Sequence, residues 1–316
     1  MLAWFSKLDS GLSAYTSKEL LPCLKDKTQI KIFSDFDGEF LGETVHHYSK
    51  AVSLAPFDAF IYLVEEDSFA DSYAQTFPGL CLYHGPIREQ FFSSTAKVSQ
   101  ACLYPTERLV NLHKTNSKTP VFYLPSPAKI IEPNKQDEFQ VCFCGSAKIE
   151  DRAQITIEAL EELSFVDKVI WLADKSRKDE ILKRFSSSKK IEFVFNKNPE
   201  TWAKITSCSK AAIHTHFGPY ENPEPYASIS ISSGCPAIVS HFSDTELYPE
   251  GVFFKIQTGE FEKSELKEVL RNIKDKDLSK EVLLYSKEEH CSEKIADELL
   301  LVVKSLAKEP LPAVNS

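Results

Sequence analysis

The sequence predicts an α/β protein of two domains, each built on a parallel sheet. Three observations lead there. Short apolar runs alternate with helix-length polar or amphipathic segments, the pattern of strand, crossover helix and strand. A proline-rich stretch, Pro125, Ser126 and Pro127 followed by Glu132, Pro133 and Asn134, cuts that alternation into two series, because paired prolines resist both helix and central strand. The 316 residues are also about twice the usual ~150 of one domain, so each half is long enough to bury its own core.

The first series opens with the apolar run Leu2 to Phe5. Gly11 separates it from a stretch with helical spacing, Tyr15 to Leu24, in which Tyr15, Leu20, Leu21 and Leu24 are the apolar positions. Further strands are expected at Gln29 to Ser34, Ala59 to Val64, Leu80 to Tyr83, Ala101 to Tyr104 and Val121 to Leu124. The first domain is therefore placed at 1–128.

The second series begins with Gln140 to Cys144, which runs into Gly145 and a long amphipathic helix from Arg152 to Leu163. Strands follow at Lys168 to Leu172, Ile191 to Phe195, Ala211 to His214 and Ala237 to Ser240. Between the last two lies ENPEPYASISISSGCP, whose alternating Ile and Ser fit a half-buried strand as well as a helix. A helix is preferred, since a strand would have to turn sharply at Gly234 into the next with only Cys235 and Pro236 between them. Gly234 supplies the positive φ that ends a helix, and Pro236 prevents its continuation. Ser264 to Ile273 reads as another helix. A last amphipathic helix, Lys287 to Leu306, carries Ile295, Leu299, Leu300, Val303 and Leu306 at helical spacing. The second domain is placed at 129–286 and the terminal helix at 287–316.

Composition removes several function classes. Lys plus Arg at 37 against Asp plus Glu at 46 gives a net charge of −9, which disfavours a nucleic-acid binder relying on a basic surface. The eight cysteines show no CxxC spacing and several sit in apolar runs, as expected of reduced thiols in a cytoplasmic protein. MLAWFSKLDS is too short in apolar residues for a signal peptide, and no apolar run approaches ~18 residues, so a soluble protein is expected. An amphipathic surface helix stays compatible with peripheral membrane contact. His46-His47 and His214-x-His216 have no Cys or carboxylate at a ligand spacing, so no metal site is assigned. GxSxG, Walker and GxGxxG motifs are missing from the sequence, which weakens serine hydrolase, P-loop and dinucleotide readings.

Four places carry candidate chemistry. Gly11, in SGLSAY after the first strand, permits close approach of backbone to a ligand ahead of a helix start; a tight turn is its plain alternative. His84 ends the apolar run LCLYHGP, where open α/β sheets place ligand-contacting groups, and a strand-capping histidine is equally consistent. In CFCGSAKIEDR, Ser146, Lys148 and Arg152 surround a helix start, and developing charge on a diphosphate needs such donors and cations already in place. Lys148 fits a solvated charge better, whereas the guanidinium of Arg152 suits phosphate oxygens. Finally, Glu221 and Glu224 precede the helix start at Tyr226, Ala227 and Ser228, pairing carboxylates for hydroxyl groups with N–H donors for phosphate.

In their shared order these pieces resemble the retaining glycosyltransferases of GT-B fold, family 4 (glycosyl transferases group 1) type. WFSKLDSGLSAYTSKELLPCLKDKTQIKIFSD is similar to that family's opening strand, Ser-Gly-Ile-x-x-Tyr loop and Leu-Leu-Pro-x-Leu helix. FPGLCLYHG, ACLYPTERLVN with VFYLPSPA, FCGS with the Arg152 helix, and ISSGCPAIVSHFSDTELYPEG follow in the family's sequence, so the likeness spans nearly the whole chain.

The resemblance implies two Rossmann-like domains facing a cleft, with the acceptor in the first half and the sugar nucleotide, a UDP- or GDP-sugar, in the second. The last helix would cross back to the first domain, and neither metal nor cofactor would be needed. By position, Gly11 would approach the donor phosphates, His84 would contact the transferred sugar, Arg152 would lie in the cation region, and Glu221 or Glu224 would hold sugar hydroxyls. Glycan, lipid and protein acceptors all fit, as does a partner glycosyltransferase.

Two departures stand out. The family's second acidic residue, eight positions after Glu221, is Ile229 here, and Asp151 stands where its lysine is expected. A branch of the family similar around SGCPAIVSHFSDTELYP also lacks that second glutamate. The rival expectations are a catalytically silent GT-B partner subunit of another glycosyltransferase, and a sugar-nucleotide epimerase of the same fold.

Overall fold

A computed structural model describes residues 1–9, 11–64, 77–83, 99–116, 118–135, 137–144, 152–173, 175–196, 198–215, 225–241, 245 and 248–306. The chain divides into two compact units, Met1–Pro127 with Ser292–Ser316, and Ala128–Cys291.

In the first unit, β1 (Leu2–Phe5) leads into α1 (Gly11–Lys25), followed by β2 (Ile30–Ser34), β3 (Gly38–Phe40), β4 (Glu43–His47), β5 (Ala59–Val64), β6 (Leu80–Tyr83), β7 (Ala101–Tyr104), α2 (Glu107–Asn116) and β8 (Val121–Tyr123). Their order in the sheet is β3-β4-β2-β1-β5-β6-β7-β8, parallel except where β3 meets β4. Every residue of β1, β6 and β7 is buried, which is why these strands read as unbroken apolar runs: a parallel sheet is covered on both faces. One face is closed by α1, with Leu20, Leu21 and Leu24, and by the last helix of the chain, with Ile295, Leu299, Leu300 and Val303. The other face buries Phe5, Phe33 and Tyr62 against Leu109 and Val110 of α2, with the Phe5 and Phe33 rings stacked at 4.9 Å.

The second unit runs β9 (Gln140–Cys144), α3 (Ala153–Glu161), β10 (Lys168–Leu172), α4 (Lys178–Phe185), β11 (Ile191–Val194), α5 (Pro199–Cys208), β12 (Ala211–His214), α6 (Tyr226–Ser232), β13 (Ala237–Ser240), β14 (Phe253–Ile256), α7 (Glu262–Ile273) and α8 (Ser279–Glu289). Its six strands are all parallel, in the order β11-β10-β9-β12-β13-β14. Residues of α3, α4 and α7 close one face around Trp171 and Phe143, while α6 and α8 pack Ala227, Ile231 and Val282 on Val239 and Phe253.

The expected strands form, with ends trimmed by a residue at β2, β8 and β11. YASISIS is a helix, and Gly234 ends it at φ 67°. A Cβ there would lie 2.5 Å from Pro133 Cγ and 3.2 Å from Ser279 O, so a side chain is excluded by space as well as by conformation. The sequence reading misses the β3–β4 pair, β14, and helices α2, α4, α5 and α8. The helix expected from Lys287 to Leu306 starts later, as α9 (Ser292–Leu306): Lys287 to Glu289 close α8, and between the two helices the His290 carbonyl accepts from Ala128 N at 3.0 Å.

None of the eight cysteines is in a disulfide. Among the described residues, no helix is long and apolar enough to cross a membrane.

Candidate functional site

Strand order marks one place in each unit of the kind where open α/β sheets bind ligands. In the second sheet, β9 is flanked by β10 and β12, so the strand order reverses there, and α3 and α6 pack on opposite faces of the sheet. The first sheet has the same reversal between β1 and β5.

At the reversal in the first unit, the chain leaves β1 and enters α1 at Gly11, whose φ of 80° is the left-handed conformation that glycine tolerates. The helix is pinned to the strand beneath it. Trp4 Nε1 donates to Ser17 Oγ at 3.0 Å, Ser17 Oγ donates to Ser6 Oγ at 2.9 Å, and Ser6 Oγ reaches the Ser13 carbonyl at 3.4 Å. His84, which follows β6, lies outside the described residues.

At the reversal in the second unit, β9 ends at Cys144 and α3 begins after Arg152; Ser146, Lys148 and Asp151 fall outside the described residues. Arg152 stands in the left-handed region, φ 54° and ψ 21°, with no side-chain cap on the helix it precedes. Its guanidinium turns to the first turn of α7. Nε donates to Glu262 Oε2 at 2.7 Å and an Nη lies 2.5 Å from the same oxygen, with the two side chains only 10% and 1% exposed. Gly259 N also points at that oxygen, at 3.3 Å. One turn into α3, Thr156 Oγ1 meets Thr215 Oγ1 at 3.3 Å, just beyond the end of β12, and both threonines are buried.

The opposite face of the same edge is occupied by the start of α6. Pro225 precedes it and gives the helix start no side-chain cap. The start is held from behind: Trp202 Nε1 donates to the Tyr226 carbonyl at 3.0 Å and to Ser230 Oγ at 2.9 Å, and Ser230 Oγ donates back to Tyr226 O at 2.8 Å. His214, the last residue of β12, places Nε2 3.0 Å from Ser230 Oγ. Glu221 and Glu224 lie outside the described residues. Ile229 is 1% exposed, so the position that carries a second carboxylate in the family pattern is apolar core in this chain.

Of the residues singled out from the sequence, then, the structure brings Arg152, Tyr226, Ala227 and Ser228 to one sheet edge and places Gly11 at the corresponding edge of the first unit. Sequence reasoning missed Glu262, Thr156, Thr215, Trp202 and Ser230. A carboxylate opening α7 was visible as an acidic helix start, but its pairing across 110 residues was not.

Burial pushes the Cys81 and Cys142 thiols well above their ordinary range. Among the described residues, no group of three or more His, Cys, Asp and Glu side chains is arranged to hold a metal ion. A groove of about 600 Å³ in the first unit lies elsewhere, at the amino end of β1 beside Lys27, Thr28, Leu300 and Leu301.

No family model matches the sequence, and no curated protein matches it either. Solved structures do. Anabaena HepE in complex with UDP-glucose is 12% identical, with 96% of this chain and 99% of that one covered at a TM-score of 0.69. Sucrose-phosphate synthase from Thermosynechococcus elongatus is 12% identical over 96% and 98% of the two chains, at a TM-score of 0.75. AviGT4, a glycosyltransferase involved in avilamycin A biosynthesis, is 13% identical over 97% of each chain, at a TM-score of 0.68. The fold is therefore that of the GT-B glycosyltransferases, an α/β architecture of two Rossmann-like, parallel-sheet domains.

Proposed function

We propose that this chain is a metal-independent, retaining glycosyltransferase of the family 4 type, moving a hexosyl group from a nucleotide-diphosphate sugar to a glycan, lipid or protein acceptor in the cytoplasm. The observation that carries the proposal is the strand reversal between β9 and β12, which gathers the starts of α3 and α6 at one edge of a fold shared over its full length with HepE, a protein that binds UDP-glucose. Two helix starts offer N–H groups and partial positive charge to a diphosphate, and both are fixed before a ligand arrives, by Thr215 and Glu262 on one side and by Trp202 and Ser230 on the other.

In this reading the sugar–phosphate bond breaks as the acceptor hydroxyl attacks from the face of the departing diphosphate, and the negative charge that develops is taken up by donors already in place. The amides of Tyr226, Ala227 and Ser228, the hydroxyl of Ser146 and the ammonium of Lys148 serve that charge, with Arg152 in the same region. Gly11 lets the first unit's backbone approach the phosphates, His84 contacts the transferred sugar, and Glu221 and Glu224 hold its hydroxyls. A UDP- or GDP-sugar is the donor, as substrate rather than cofactor.

The buried Ile229 favours one alternative, a silent GT-B subunit that partners another glycosyltransferase, since a ribose-binding carboxylate is lost there. Calorimetry with UDP-, GDP- and dTDP-sugars, followed by donor hydrolysis and transfer assays with glycan, lipid and protein acceptors, separates the two. Saturable binding with turnover is expected. Binding without turnover across all acceptors supports the silent subunit, and no binding of any nucleotide sugar defeats both.

A further inference from the structure

Arg152 has the residue type expected of a phosphate contact, yet its surroundings assign the charge elsewhere. The edge of the guanidinium formed by Nε and one Nη is spent on Glu262 Oε2, inside the protein, at 2.7 Å and 2.5 Å. Glu262 is 1% exposed, and its other oxygen, Oε1, makes no hydrogen bond, so the bonds recorded for this carboxylate converge on the oxygen that Arg152 and Gly259 share. A buried carboxylate of this kind cannot release its cation to a ligand without leaving an uncompensated charge behind. The backbone agrees. Arg152 accepts a left-handed φ of 54°, a conformation unfavourable for any residue with a Cβ, and that turn delivers the chain into α3 with Thr156 facing Thr215.

We propose that Arg152 is a positioning residue and Glu262 its partner: the pair ties the start of α3 to the start of α7 at the carboxyl edge of the second sheet, and so sets the donor-binding edge without itself touching the phosphates. The inference rests on the donor site proposed above. It differs from a direct phosphate contact in what removal of Glu262 does. A phosphate-binding arginine freed of its carboxylate becomes a stronger cation, whereas a positioning arginine loses its function with its partner.

The experiment is calorimetric titration of UDP into the wild-type chain, Arg152→Ala, Glu262→Ala and the double variant, at low and high salt, with GDP and dTDP in place of UDP if UDP does not bind. Both single variants are expected to weaken binding by the same factor, roughly tenfold, with the double variant no weaker than either and the salt dependence unchanged, as for two groups acting as one unit. The proposal is overturned if Glu262→Ala keeps or tightens affinity while Arg152→Ala weakens it and flattens its salt dependence. Arg152→Gly and Glu262→Gln replace the alanine variants if these do not fold.

Amide hydrogen exchange over Ala153 to Ile157 gives a second measure, independent of ligand. Equal acceleration in both single variants and no further gain in the double supports the tie, and unchanged exchange in Glu262→Ala sinks it. If the wild-type chain binds none of the three nucleotides, the donor reading fails and the exchange measurement alone decides whether the tie exists.

Discussion

His214 Nε2 lies 3.0 Å from Ser230 Oγ, joining the end of β12 to the middle of α6 inside the protein. Ser230 has one proton, and it goes to the Tyr226 carbonyl at 2.8 Å. Its oxygen also accepts from Trp202 Nε1 at 2.9 Å, so three polar groups meet at this one side chain. One serine hydroxyl thus ties a strand end to a helix start at the candidate site.

Ser230→Ala keeps the helix-forming backbone but removes the buried hydroxyl that Trp202 Nε1 and His214 Nε2 share. Trp202 retains the Tyr226 carbonyl, while His214 loses the hydroxyl beside Nε2. A loss of about 1–3 kcal/mol is expected. Urea unfolding checks it, and an unchanged midpoint would show that the network is dispensable.

Breaking the Arg152–Glu262 pair should be among the costlier changes in the second unit, about 3–5 kcal/mol for Arg152→Ala, because the carboxylate stays buried. Arg152→Gly loses the same pair but relieves the φ of 54°, so it should be more stable than the alanine variant by about 1 kcal/mol. Equal stabilities measured side by side would mean that the left-handed turn carries no strain.

Acid should weaken the contact between α3 and α7. Hydrogen bonds from Lys263 and Lys267 lower the Glu162 carboxyl from 4.5 to about 2, and Gln154 and Lys263 lower Glu158. A carboxyl held below its unfolded value contributes stability that is complete above that value and lost as pH falls from about 4.5 towards about 2. The pairs are exposed, so the contribution is small and screened by salt. The double variant Lys263→Gln, Lys267→Gln should show a flatter fall in thermal midpoint between those pH values than the wild type; parallel curves would remove the pairs from the acid response.

The first unit depends on a helix from the far end of the chain. Leu299 of α9 is fully buried beside Leu20, Leu21 and Leu24 of α1. Leu299→Ala should cost about 2–5 kcal/mol, and fluorescence of Trp4, buried in the same cluster, should report the loss at a lower urea concentration. A change below about 0.5 kcal/mol would indicate that α9 is not part of that core.

The amino-acid pattern was enough to mark the strands buried on both faces, since full burial in a parallel sheet leaves apolar runs such as ACLY at β7 or VIWL in β10. It also determined the end of α6, because Gly234 and Pro236 act locally on the backbone. It left β3 and β4 unread: Gly38 to Phe40 lies exposed to half-buried at the sheet edge, so no apolar run marks it. Helix α4 escaped for a related reason, with only Ile181 and Phe185 turned inward.

Which strands are neighbours, and hence that the order reverses between β9 and β12, was settled only by the packing of the folded chain. That packing also decided the partner of Arg152. That partner is 110 residues away, and a pairing over such a distance is set by where two helices pack on a shared sheet, not by the spacing of residues along the chain. Periodicity records which side of an element is buried; it carries no record of what lies on the other side of the contact.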